Sequence, residues 1–315
     1  MLKQLVFGEM YLVMNFHNMD KEIRINQVNK MQNEPFSIDM LSAQRHYYSQ
    51  AKLVVYTSLF FCVIVIAVLS ILNRIYPSEI LGKTVLVYSI FAFVLSSFLM
   101  NYRNKLQNLA ARIQNLFDIK LFGLKWDTAL CGIEPRVEDV KKGKQKDQNG
   151  LDDWYKDIPD DLPLEAVTLV CLRMNVEYDK SMKQKLSLLM YIIVFLIAFI
   201  IVIANNERTI WDMALYSIVP LLPVAKYLYD VKRRIDSDKD RLIRLDVSID
   251  SLMKKAIQEG LIEKEELQNI NNQIFEHRRT SPLVPDWLYK ILRDKEEETA
   301  EYGAKYYFGE LRKKL

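Results

Sequence analysis

LVVYTSLFFCVIVIAVLSIL, residues 53–72, is the stretch that decides the fold. It carries no charged side chain, and at a helical rise of ~1.5 Å per residue it covers a hydrocarbon core of ~30 Å. Three further apolar runs follow. Thr84 to Met100 has Lys83 at its edge; Leu186 to Ala204 (LSLLMYIIVFLIAFIIVIA) is the most aliphatic; Ile210 to Ala225 is short and contains Asp212, Pro220 and Pro223. Buried helices of a large soluble protein are the alternative, but core helices usually offer only ~10–14 apolar residues, whereas the first and third runs reach the ~20 of a spanning helix. The runs form two closely spaced pairs. They predict an all-α integral membrane protein with four transmembrane helices in two hairpins, 53–100 and 186–225, carrying cytoplasmic helical extensions.

The remaining composition narrows the function. Of 315 residues, 26% are charged and 50% hydrophobic, which leaves room for about one soluble domain outside the spans. A net charge of +3 is too small for bulk nucleic acid to be a partner. Cys62, Cys131 and Cys171 form no CxxC pair, and His17, His46 and His277 stand apart from one another and from the cysteines. No disulfide framework, metal site, cofactor or recognisable catalytic constellation is expected, so the protein reads as a non-enzyme.

Charge sets the topology. The loop 73–79 carries Arg74 and the loop 205–209 carries Arg208, whereas Lys52, Arg103, Lys105, Arg112, Lys180, Lys183, Lys185, Lys226, Lys232, Arg233 and Arg234 flank the opposite ends. The positive-inside rule puts both termini and the middle segment 101–185 in the cytoplasm. Residues 1–24 fit no element: Glu9 interrupts a weakly apolar start, no cleavage site follows, and Met14 and Met19 offer alternative translation starts.

Along the chain, residues 25–52 contain an amphipathic helix, Asp39 to Lys52, that leads into the membrane with Ser37 as its N-cap. The second span continues inward, since Leu106, Leu109, Ile113, Leu116 and Phe117 recur at helical spacing. Residues 138–150 (EDVKKGKQKDQNG) read as a disordered linker. The tail 226–315 reads as three helices: one striped by Ile235, Leu242, Leu245, Ile249 and Leu252, one over 264–277 after Gly260 as C-cap, and one over 285–315.

Several residues carry candidate chemistry. Asp212 stands three residues after Thr209, which fits a capping arrangement, with an ion site at the outer mouth as the alternative. Pro220 and Pro223 each remove a backbone donor and predict a kink or unwound turn that serves as a gate or as a static bend. Gly82, Ser89, Ala92 and Ser96 share one small face of the second run, suited to helix packing or to lining a pore in an oligomer. Trp154, Tyr155, Arg173 and Asn175, together with Arg278, Arg279 and Trp287, combine cations with aromatics as phosphate and base recognition requires, although solvated arginines and core aromatics give the same pattern.

NKMQNE (29–34), LSAQRHYYSQAK (41–52), DDWYKDIPDDLPLEAVTLVCLRMNVEYD (152–179) and SPLVPDWLYKILRD (281–294), placed around four spans, resemble the SMODS-associated four-transmembrane effector family. The resemblance covers about Ile25 to Leu311, and Gln44, Arg45, Tyr48, Asp153, Trp154, Tyr155, Pro285, Asp286 and Trp287 carry it without an assigned role. It implies a pore-forming effector of CBASS anti-phage immunity. A cognate nucleotidyltransferase makes a cyclic di- or oligonucleotide, the effector binds it, and a homo-oligomer permeabilises the lipid bilayer and arrests the infected cell. A non-conducting anchor that recruits a partner through its cytoplasmic helices is the alternative.

Overall fold

Every regular element in the computed structural model is helical, over the residues it describes: 27–76, 78–203, 209–213 and 219–314. Helix α1 (Pro35–Leu59) passes through a π-helical turn at Phe60–Ile64 into α2 (Val65–Ile75), so a single rod crosses the first apolar run. Helix α3 (Glu79–Phe122) returns as one rod of 44 residues. Two short helices follow, α4 (Thr128–Cys131) and α5 (Val137–Gly143). Then come α6 (Leu164–Ile203), α7 (Ile210–Met213), α8 (Val219–Glu259), α9 (Lys264–Thr280) and α10 (Asp286–Arg312).

Local chemistry sets the ends. Ser78 Oγ accepts from the Leu81 N–H at 3.1 Å to cap α3, and Gly123, at φ 61°, takes the left-handed conformation that closes it, with Leu124 N–H bonded back to the Ile119 carbonyl. The expected cap at Ser37 is displaced. Pro35, with its fixed φ and missing donor, opens α1 two residues earlier, and Ser37 lies buried within the helix.

Two of the described helical runs, Pro35–Asn73 and Glu79–Phe122, are long and apolar enough to cross a membrane. Their most apolar stretches are 0% and 6% buried, and Phe60, Ile64, Val68, Val87, Phe91 and Phe98 all project outward. A soluble protein would hide these side chains, and an exposed apolar surface of this length suits a bilayer. The apolar end of α6 is exposed in the same way, at Leu188, Ile192, Phe195 and Phe199. In the π-turn the hydrogen-bond ladder slips by one residue, and the Phe61 carbonyl accepts from Tyr88 Oη at 2.9 Å.

The small face of the second run turns toward this first rod. Ala92 is 1% exposed, Gly82, Ser89 and Ser96 are partly covered, and an added Cβ at Gly82 would meet Asn73 at 3.9 Å. Within the described residues α8 is helical from Val219 onward, through Pro220 and Pro223. The side chains of Asp212, Pro220 and Pro223 lie outside the described residues, as do residues 1–24 and 204–208.

Beyond the apolar runs all the long helices converge on one core. It joins Met40 and Leu41 of α1, Phe117 and Phe122 of α3, Val170 and Leu172 of α6, Leu245 and Ile249 of α8, Ile274 of α9 and Leu311 of α10. The segment 138–150 is not a disordered linker. Its first half is α5, opened by the Arg136 N–H on Asp139 Oδ2 at 3.1 Å, and its second half is tied to α1 by Lys144 on Asp39 (2.8 Å), Gln145 N–H on Ser42 Oγ (2.9 Å) and Gln148 on Asp39 (2.9 Å). Gly143 lets the two helices touch: a Cβ there would stand 2.9 Å from the Ala43 Cβ and 2.6 Å from the Tyr47 ring. Gly143→Ala therefore lifts α5 from α1 at a cost of about 1–3 kcal/mol. Trypsin should then cut at Lys144 and Lys146 several times faster than in the wild type.

Candidate functional site

The last turn of α9 supplies the centre of the site. Pro282 disfavours a helical conformation at Ser281, which is extended at ψ 139°, and so stops the helix. The orphan carbonyls this leaves are satisfied from α3, where Gln107 Nε2 donates to the Arg278 and Ser281 oxygens at 2.9 and 2.7 Å. His277, Arg278 and Arg279 place positive charge at the negative end of the helix dipole.

Helices α1, α3, α6 and α8 each present a polar group to this turn. Asp118 of α3 accepts from Arg278 NH1 at 2.5 Å, and its other oxygen accepts from Tyr155 Oη at 3.2 Å. Tyr155 Oη in turn accepts from Asn175 Nδ2 of α6 at 2.8 Å. His277 lies between Asp238 of α8 (Nδ1, 3.0 Å) and Asp179 of α6 (Nε2, 3.2 Å). Asp238 also accepts from Ser281 Oγ at 2.8 Å and faces Lys183 of α6 at 3.6 Å. From α1, Tyr48 donates to Gln114 Oε1 at 3.3 Å, beside the same charges.

Arg278, Asp118, Lys183, Asp238 and His277 are all buried, so their charges stand in a medium where an unpaired ion is costly. Asp179 and Asp238, when ionised, can only accept, so that both ring nitrogens of His277 then donate and the imidazole is charged. Arg278, Lys183 and His277 then face Asp118, Asp179 and Asp238, with Arg103 of α3 a fourth cation beside them, its NH2 3.5 Å from the Ser281 oxygen. Burial disfavours the imidazolium, but the hydrogen bonds and charges of Asp179 and Asp238 outweigh it and raise the His277 pKa. Burial likewise opposes ionisation of Asp179 and Asp238, yet His277 and the neighbouring cations hold both below the usual carboxylate value. For Lys183 burial prevails and the pKa falls, despite Asp238 and Asp179. The order of contacts differs from that of a hydrolase triad, because Ser281 bonds Asp238 and not His277. What the arrangement can do is lock four helices together just beneath the apolar runs, and release them if one partner is exchanged.

Of the residues singled out from the sequence, Tyr155, Asn175 and Arg278 meet here. Arg173 lies elsewhere on α6, 3.3 Å from Asp250 and 4.4 Å from the centre of the Tyr307 ring. Arg279 pairs with Glu276 at 2.7 Å, Trp154 packs on the core, and Trp287 is exposed at the start of α10. Sequence reasoning missed Gln107, Asp118, Asp179, Lys183, Asp238 and His277. For Asp118 the signal was present, a carboxylate inside the apolar stretch Leu116–Phe117–Asp118–Ile119.

Comparison with known proteins agrees with this membrane-linked, all-helical architecture. The chain is 25% identical over 280 residues to a probable CBASS effector molecule of Bacillus cereus (strain VD146), covering 85% of this chain and 93% of the relative. No solved structure matches it. The SMODS-associating 4TM effector domain matches residues 26–307, nearly the whole of the described chain, and the protein is therefore a membrane protein belonging to that effector family.

Proposed function

We propose that the protein is an effector of a CBASS-type anti-phage system that permeabilises the bacterial inner membrane, without catalysis, when a cyclic di- or oligonucleotide binds from the cytoplasm. The observation that carries this reading is mechanical continuity. Helices α3, α6 and α8, of 44, 40 and 41 residues, run unbroken between apolar ends and the polar collar around His277 and Arg278. In this reading the apolar ends of α6 and α8 complete two hairpins of four spans, with both termini cytoplasmic, and Asp212 caps the outer end of the fourth.

A ligand shifts such an equilibrium only by its difference in affinity for the two states. The phosphates of a cyclic nucleotide compete with Asp118 for Arg278, while Tyr155 and Asn175 offer a ring and an amide to a base; Trp154, Arg173 and Arg279 are the further candidates. Four spans with few polar groups make no wet path within one subunit, so opening takes a homo-oligomer, while the face of Gly82, Ser89, Ala92 and Ser96 serves helix packing within the first hairpin.

The test is leakage of dye and ions from liposomes that hold the purified protein, with a panel of cyclic di- and trinucleotides added on the cytoplasmic side. One member of the panel is expected to trigger release. Measurable binding of a nucleotide with no leakage would overturn pore formation and favour a recruiting anchor.

A further inference from the structure

The first turns of α10 lie beside the ends of the first and third apolar runs. The Asp286 N–H donates to Tyr56 Oη at 3.3 Å, and its carboxylate pairs with Lys52 at 2.5 Å, so this helix begins beside the cytoplasmic end of the first apolar run. On the other side Leu288 shares one apolar cluster with Leu186, Met190 and Ile235. Leu186 and Met190 open the third apolar run. From there α10 descends away from the membrane, since Glu296 pairs with Lys185 and Glu301 with Lys156.

Leu288 faces inward at 8% exposure, and the exposed face beside it bears Trp287 at 51%, the exposed Lys290 and Ile291 at 70%. We infer that Trp287, Lys290 and Ile291 form an interfacial foot seated in the headgroup layer of the cytoplasmic leaflet. An indole at this depth keeps its ring in the acyl boundary and its N–H in the polar zone, an ammonium one turn away reaches the headgroups, and the isoleucine contributes apolar area. Continuity names the occupant: the face adjoins the ends of helices whose apolar sides already meet lipid. The inference rests on the membrane placement of the first and third runs and is independent of gating by a nucleotide.

The test uses the full chain in phosphatidylcholine vesicles without nucleotide, comparing wild type with Trp287→Phe. The chain has 4 tryptophans, and the difference between the two proteins isolates the emission of Trp287. That component is expected to be blue-shifted, quenched by lipids brominated near the glycerol and much less by lipids brominated at the chain end or by aqueous iodide. Quenching by iodide alone would place Trp287 in water, and quenching by neither would place it against protein, such as a second copy; either result overturns the inference. A second measurement needs no fluorescence. Trp287→Glu should lower the protein's thermal midpoint in vesicles and leave it unchanged in detergent micelles that wet this surface, whereas Trp287→Tyr, which keeps an amphipathic ring, should retain the wild-type midpoint in both.

Discussion

Replacing Asp118 by Ala lowers the unfolding free energy of the detergent-solubilised protein by about 3–5 kcal/mol, because it strands a buried guanidinium. Asp118 is 1% exposed and Arg278 7%, so neither charge can turn to water. Burial works against the Arg278 charge, and the Asp118 carboxylate raises its pKa above the usual guanidinium value; deleting the carboxylate removes that compensation. The companion result discriminates the cause. Asp118→Leu combined with Arg278→Met should recover most of the loss, since a well-packed apolar pair often matches a buried ion pair in stability. A single substitution costing under about 1 kcal/mol would mean that the pair is solvated, as exposed pairs are. In liposomes the same single variant should leak without any nucleotide, if exchange of this partner is what opens the assembly.

Asp238→Asn is expected to have the next largest effect, again about 3–5 kcal/mol, together with a change in pH dependence. The substitution takes from Lys183 its counter-ion at 3.6 Å and from His277 one of its two carboxylates. The sign follows from the pKa directions. His277 has a raised pKa in the folded state, so its contribution is complete below its ordinary value of about 6.5 and is lost as pH rises through the raised one. Asp179 and Asp238 have lowered pKa values, so theirs is present above the ordinary carboxylate range and is lost as acid titrates them. Deprotonation of Lys183, whose charge burial disfavours, works in the opposite sense on the alkaline side. The wild type should thus be most stable between the two limbs, and Asp238→Asn should move the alkaline limb to lower pH. Unfolding midpoints measured from about pH 5 to about pH 9 would show it, and an unmoved alkaline limb would remove His277 from the account.

Residues 53–72 were legible because an uncharged run of that length has few other fates, and the helical stripes of α3 and α8 because periodicity survives without knowledge of the partner. Residues 138–150 were not. Their lysines and glycine have the composition of a disordered chain, and only the tertiary pairing of Lys144 with Asp39 and the seat of Gly143 on Ala43 make them ordered. The collar was half legible. Arg278 stood out as a cation beside aromatics, but its partner is 160 residues away in sequence, and no local pattern connects His277 with Asp179 or Asp238. Trp287 drew notice for the chemistry of its ring; its surroundings, unlike its identity, point to lipid.

The π-turn at Phe60–Ile64 has a geometric consequence for the first rod. One surplus residue in a turn sets every later side chain back by ~100° about the axis. The outer half of the rod is therefore out of phase with the half that enters the collar, and a stripe drawn straight from Met40 through Val68 changes sides partway. Tyr88 holds the slipped carbonyl from the neighbouring helix, so the angular offset between the two halves is fixed from outside the rod as well as from within it.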